Sequence, residues 1–303
     1  MISACLRWLA QSGPTDPKHS EGWAHPIASC LLHYVVVIPA TIYVHDAMVD
    51  RRSGDGVPSG IDDGCLPSPT STVVSNFFAC YAVSLLVWRL ITIRAQLGPI
   101  HQRCVLYEYT WLCNSTLVMV SIGLRTCRPI LATSFCVAVS IDQLLWWVDL
   151  AGWILSGFTS FPIGVAQYLT WPNTSWSTRI TATHHLWTIP LTLFAVGGRL
   201  QWAAYPLSAL VVTFHVLLSR CLTPFTIRWN RRVDGRISNV EDDKYLNINL
   251  SHEVWKDIKF GFVQIKRDNP SVATYLLRLL WRWNLFNLAT FAFLYSVTRV
   301  LHM

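Results

Sequence analysis

The chain has 303 residues, 52% of them hydrophobic and 14% charged, where an ordinary soluble domain carries about 25% charged residues. With a mean hydropathy of +0.36, these figures argue against a soluble globular enzyme, a disordered tail or a coiled coil. The net charge of +7 sits mostly in loops between apolar runs without any nucleic-acid motif beside it, so it reads as a membrane-orientation signal and no nucleic-acid partner is expected.

Residues 1–26 form a polar N-terminal tail that lacks the long apolar core of a signal peptide, so insertion is expected to use the first spanning helix. The first apolar run covers 27–48, interrupted by His33, His45 and Asp46, with Pro39 placed to kink it. Residues 50–71 are a loop rich in Gly, Pro, Ser and Asp. Further runs follow at 72–93, 104–124 and 130–155. The stretch 156–180 is broken by Gly157, Pro162, Gly164 and Pro172, which predicts an interfacial or re-entrant segment. Runs at 180–197 and 203–222 complete a membrane domain over 27–222, followed by a charged loop at 223–271 and a last membrane helix with the C-terminus at 272–303.

The predicted fold class is all-α: a polytopic transmembrane bundle of about seven spans, within a range of six to eight. At about 20 residues each, such spans use close to half the chain. Lys and Arg concentrate at 223–271 and around Arg89, Arg94 and Arg103. Placing those loops inside predicts a cytoplasmic N-terminus. Trp88, Trp111, Trp153, Trp171, Trp176, Trp202, Trp229 and Trp281 fall near run ends, the position of an interfacial aromatic belt. The protein is thus expected to be multi-pass and integral to a membrane, with lipids as its environment and a candidate substrate.

Ionisable groups inside apolar runs are costly and need a partner, water or a purpose. Asp142 and Asp149 are seven residues apart, so two helical turns place them on one face with Trp146, and Gln143 lies beside them. That face suits a polar cavity or a proton path. It also suits two carboxylates paired near the interfaces. The densest polar stretch is NTSWSTRITATHHLWTIP at 173–190, which holds His184 and His185. Adjacent residues diverge by about 100° on a helix and share one metal poorly. No HExxH frame supplies further ligands. No metal and no cofactor are therefore expected.

His215 is isolated in SALVVTFHVLLSR, and Cys113 lies in the third run among Thr110, Asn114 and Thr116. A thiol becomes nucleophilic only as thiolate, and a nearby His can take its proton. Nine cysteines are scattered without a CxxC pair, so a disulfide scaffold is not expected and packing is the simplest role for each. The spacing HxxxxD occurs at His45–Asp50 and His252–Asp257, without the rest of an acyltransferase pattern. No serine-hydrolase elbow, P-loop or dinucleotide fingerprint is present.

The order of features from about 105 to 250 resembles the transmembrane-protein-164 family of lipid acyltransferases and its bacterial relatives. It is carried by WLCNST (111–116), THHLWTIP (183–190), TFHVLL (213–218) and YLNINL (245–250). The resemblance covers about half the chain and rests on the ordered set. It implies acyl transfer between glycerophospholipids, with Cys113 as nucleophile, His185 as general base, His184 as its rival and His215 assisting. Asn247 and Asn249 would then contact a headgroup or oxyanion. Independently of the resemblance, the shared face of Asp142 and Asp149 makes them candidates to line a polar substrate cavity. Two other readings stay open: a small-solute or ion transporter using Asp142 and Asp149, and a membrane scaffold without chemistry.

Overall fold

The computed structural model describes residues 25–53, 67–97, 99–172, 174–233, 236–254, 265 and 271–301. The N-terminal tail, much of the 50–71 loop and part of 223–271, including Asp257, lie outside the described residues. Nine helices run in chain order: α1 Pro26–Ser53, α2 Pro69–Leu97, α3 Pro99–Glu108, α4 Leu112–Arg125, α5 Pro129–Leu155, α6 Trp176–Thr181, α7 His184–Ala195, α8 Ala204–Leu222 and α9 Val272–Leu301 among the described residues. Two strands, β1 Thr226–Val233 and β2 Arg236–Tyr245, separate α8 from α9.

Four of these helices are long and apolar enough to cross a membrane: α1 over Pro26–Val49, α2 over Pro69–Ala95, α5 over Pro129–Leu155 and α8 over Ala204–Leu222. They match four of the apolar runs read from the sequence. The other three runs differ. The run at 104–124 divides into α3 and α4 around Tyr109, Thr110 and Trp111. The run at 180–197 yields α7, whose 12 residues reach about 18 Å, against a hydrocarbon core of about 30 Å. Helix α9 has 30 residues, but Arg278, Arg282, Asn284, Asn287 and Arg299 leave it less apolar than the four.

Helix α5 is the hub. It packs against α1, α4, α7, α8 and α9, and 67% of its apolar window is buried, against 22% for α1 and 28% for α2. Leu131, Phe135, Val137 and Ala138 are fully enclosed there. Around it, α1 and α2 turn Leu31, Val35, Tyr43, Val73, Val83 and Ile91 outward. Apolar faces of this extent suit lipid better than water.

The hairpin departs from the all-α expectation. β1 and β2 pair antiparallel with an irregularity between Asn230 and Arg232, and Val233 faces Arg236 across the end of the ladder. The intervening sequence is Asp234-Gly235, the dipeptide favoured in two-residue hairpin connections.

The broken segment after α5 does not form a regular span. It folds back and is held by Asp149. The fully buried carboxylate accepts backbone N–H bonds from Ile163 at 2.7 Å, Gly164 at 3.0 and 3.1 Å, and Ala166 at 2.9 Å. Successive amides converging on one anion form a nest. Gly152, one turn further on, lets Pro162 approach: a Cβ there would collide with the Pro162 ring.

The segment after β2 is fastened to the end of α8. The Arg220 guanidinium donates to His252 Nδ1 at 2.7 Å, and His252 Nε2 donates to the Thr223 carbonyl at 3.1 Å. This imidazole is therefore neutral with its proton on Nε2. Burial, and then the Arg220 charge, push its pKa down to about 3.

Two measurements test these anchors. Asp149→Ala leaves buried amides without an acceptor, at about 1–3 kcal/mol each, so thermal unfolding in detergent should shift down by several degrees. Gly152→Ala should make the 156–172 segment susceptible to limited proteolysis. Because folded His252 stays neutral down to about pH 3 while an unfolded His binds its proton near 6.5, its contribution is fully present above about pH 6.5 and is lost as the pH falls towards 3. His252→Gln should flatten the stability–pH curve over that window.

Candidate active site

The break between α3 and α4 places Cys113 as the second residue of a new helix, not in the middle of a long one. α4 starts after Trp111, which offers no side-chain cap. The cap comes from far along the chain instead. Asn249 Oδ1 accepts the Leu112 N–H at 2.7 Å, and its Nδ2 donates to the Thr110 carbonyl at 3.0 Å and to Ser219 Oγ at 2.8 Å. Tyr34 adds a second clamp from α1, donating to the Tyr109 carbonyl at 3.0 Å and accepting from Ser115 Oγ at 3.3 Å. Asn114 Nδ2 closes the break from within, onto the Glu108 carbonyl at 2.8 Å. The start of α4 is thereby fixed from three sides.

A second break lies between α6 and α7. A helix ending at Thr181 leaves carbonyls without intrahelical partners. The two histidines take them: His184 Nδ1 bonds the Thr181 carbonyl at 2.5 Å and His185 Nδ1 bonds the Ala182 carbonyl at 2.8 Å. Each Nδ1 thus carries a proton and each Nε2 is left with a lone pair. The rings do not diverge as residues in mid-helix would. They open a new helix, both bend back onto the preceding turn, and their centroids lie 4.1 Å apart.

Cys113, His184 and His185 meet here. The Cys113 sulfur and one nitrogen from each ring all lie within 4.8 Å of one another. From α5, Asp142 Oδ2 reaches His185 Nε2 at 3.3 Å. Trp146, one turn on, stacks on the His185 ring at 5.3 Å and 22°. Trp147 Nε1 donates to the His185 carbonyl at 2.8 Å. So His185 is held at its Nδ1, its backbone and one ring face, and only Nε2 is left to act. His184 Nε2 is buried without a partner. Cys113 is half-buried, between enclosed Leu112 and Asn114.

The surroundings carry charge and hydroxyls. Arg89 Nε donates to Thr181 Oγ1 at 2.7 Å, and its Nη1 lies 3.8 Å from Glu108 Oε2. Tyr81 donates to the Thr181 carbonyl at 3.0 Å. Tyr168, from the folded-back segment, lies close enough to Cys113, His185, Arg89 and Asp142 to interact electrostatically with all four. The Asp149 anchor therefore also holds one wall of this site.

The other residues singled out from the sequence sit elsewhere. His215 donates from Nδ1 to the Val211 carbonyl at 2.9 Å and packs against His33 at 4.7 Å and Phe135 at 5.8 Å. The side chain of Asn249 is spent on the α4 cap, with both amide hydrogens used. Asn247 Oδ1 accepts from the His252 and Glu253 amides at 3.0 and 3.2 Å, and its Nδ2 donates to the Glu253 carbonyl at 2.6 Å. Both asparagines have left-handed backbone, φ 41° at Asn247 and 53° at Asn249, a conformation Asn tolerates better than most residues. These bonds support positioning roles. Asp142 and Asp149 share a face as read from the sequence, but serve different partners. The contributions of Trp147, Arg89 and Tyr81 were not read from the sequence, because nothing local marks them as neighbours of His185.

No family model, no curated protein and no solved structure matches this chain.

The geometry sets Cys113 beside His185 and caps the start of its helix with Asn249. His185→Ala should slow alkylation of Cys113 by a small maleimide by about tenfold or more, read by mass spectrometry of the Cys113 peptide, with labelling of Cys80 and Cys221 as internal controls. Asn249→Ala should change the Cys113 rate in the same assay while leaving His185 in place. An unchanged rate would remove the asparagine from the positioning of the thiol.

Proposed function

We propose that this chain is a multi-pass membrane protein that transfers acyl groups between glycerophospholipids through a covalent intermediate on Cys113. The observation that carries this reading is the approach of the Cys113 sulfur to within 4.8 Å of a ring nitrogen of His185, at the start of a helix inside an apolar bundle. The motif order resembles the lipid acyltransferase family named above, and the reaction class follows that resemblance.

The chemistry runs in two halves. In the first, His185 Nε2 takes the thiol proton and the sulfur attacks the ester carbonyl carbon of a phospholipid acyl chain. The C–O bond breaks, the departing glycerol oxygen receives the proton from His185, and a lysophospholipid leaves behind an acyl-thioester on Cys113. In the second, the hydroxyl of an acceptor lysolipid gives its proton to His185 and attacks the thioester carbonyl. The C–S bond breaks, and the sulfur recovers the proton. General-base help of this kind contributes about 10²–10⁴-fold.

Three features support the assignment. The amides of Cys113 and Asn114 lie in the first turn of α4, where intrahelical acceptors are lacking, and a helix start favours negative charge on a sulfur or a carbonyl oxygen. Ala182, Trp146 and Trp147 hold His185 in one tautomer and one orientation. A site enclosed in an apolar bundle limits access of bulk water, which lets a lipid alcohol compete with hydrolysis. The transport reading is weaker because Asp149 is consumed by the 163–166 amides, so Asp142 and Asp149 do not form a pair of exchangeable sites.

The test is acyl transfer by the full chain in lipid nanodiscs, with a labelled phospholipid donor and a lysophospholipid acceptor. Wild-type protein should form labelled product and a hydroxylamine-sensitive acyl adduct on Cys113. Cys113→Ala should form neither, and His185→Ala should lose about 10²–10⁴-fold. Full transfer by Cys113→Ala would overturn the reading. Release of free fatty acid in place of product would make the enzyme a lipid hydrolase.

A further inference from the structure

The donor set of the site is richer than a nucleophile and its base require. His184 has no task in the transfer just described, yet it is 1% exposed and its Nε2 has no partner. An imidazole nitrogen enclosed without a hydrogen bond is costly. One nitrogen of each ring lies within 4.8 Å of the other and of the Cys113 sulfur, and each ring has committed its Nδ1 to a backbone carbonyl, which leaves Nε2 as the nitrogen open to a ligand. A carboxylate oxygen of Asp142 stands 3.3 Å from His185 Nε2. One sulfur and two imidazole nitrogens therefore converge from α4 and the start of α7, with the Asp142 carboxylate of α5 beside one of the two rings.

We infer that this cluster is a binding site for a zinc-class divalent ion, and that the bound ion holds the site in a silent state. The inference rests on the reading of Cys113 as nucleophile for its regulatory half only; the metal site stands on the donor set. Zinc takes Cys sulfur at about 2.3 Å and His nitrogen at about 2.0–2.1 Å in tetrahedral sites. That geometry places ligand atoms about 3.3–3.6 Å apart. The three atoms here lie within 4.8 Å of one another, so closing on an ion needs shifts of about an ångström. Thiolate and imidazole together select zinc or copper over magnesium or calcium, which prefer oxygen. The Nδ1–carbonyl bonds supply the outer support that metal-bound histidines commonly have.

Binding exchanges the thiol proton for the ion: the S–H bond is replaced by sulfur–metal coordination and one proton goes to solvent. The ion also occupies the His185 lone pair. Nucleophile and base are then both engaged, and acyl transfer stops until the ion is withdrawn.

The experiment uses the full chain in nanodiscs stripped of metal by chelator and reloaded with zinc or cobalt. Cobalt should produce the intense charge-transfer absorption of a thiolate ligand, and zinc should bind at about one ion per chain by elemental analysis. Cys113→Ala should lose the charge-transfer band, and His184→Ala should lower zinc occupancy by about tenfold. Stoichiometric zinc should lower acyl transfer by about tenfold or more, with recovery on chelation. Absence of the band and of bound zinc, with Cys113-dependent transfer intact, would overturn the inference and leave the function standing. Full zinc occupancy with an unchanged transfer rate would overturn the silencing role. A thiolate–cobalt band in a protein that transfers no acyl group would sink the enzymatic reading and keep the metal site.

Discussion

Backbone groups buried among apolar side chains must find partners inside the protein, because neither lipid nor core supplies any. The described bundle interrupts its helices at three places near α5, and each break is closed by polar side chains. Asn249 and Tyr34 close the α3–α4 break. The His184 and His185 rings close the α6–α7 break. Asp149 closes the segment that folds back after α5. The candidate site arises where two of these closures meet. Cys113 starts the helix after one break, the histidines start the helix after the other, and the third closure brings Tyr168 alongside. Broken helices concentrate polar groups that continuous spans would have to exclude.

The sequence made part of this legible. α1, α2, α5 and α8 follow from long apolar runs, and the seven-residue spacing of Asp142 and Asp149 correctly puts both on one face of α5. The positions of the breaks were harder to see. Tyr109, Thr110 and Trp111 contain neither Gly nor Pro, so no local signal ends α3. The cap that makes the break tolerable, Asn249, lies more than a hundred residues away. The 182–183 break is similarly quiet. There the helical-wheel argument separated His184 from His185, because it assumed a continuous helix through them. The hairpin at 226–245 had a local signal in Asp234-Gly235 that the charge of the surrounding loop obscured.

Asn249 shows why a polar residue in an apolar chain is a poor guide to its role. A buried asparagine has two donors and an acceptor to satisfy, and a ligand is only one way to do so. Here Leu112, Thr110 and Ser219 satisfy them, and the functional consequence passes through the position of α4. His215 is a different case. Its Nδ1 is bound to its own helix, while its Nε2 and that of His33 are buried without partners. The pair joins α1 to α8 by ring packing.

The position of Asp142 sets the electrostatics of the site. In a serine or cysteine triad the acid binds the imidazole nitrogen that faces away from the nucleophile. Here Ala182 occupies that nitrogen, so Asp142 lies against His185 Nε2 on a ring whose close approach to the Cys113 sulfur leaves the same nitrogen as its base. One nitrogen cannot hold a proton for both. An uncharged cluster keeps two protons among the sulfur, Nε2 and the carboxylate, and a buried site favours an uncharged total. A thiolate then exists beside an imidazolium only when Asp142 carries the other proton or when Arg89 compensates the extra negative charge. Such protons belong to the group as a whole and not to one residue. Arg89, tied to Thr181 and near Glu108, places a positive charge beside this cluster. A divalent ion resolves the same conflict differently, by replacing the shared protons with one charge that all the donors can face.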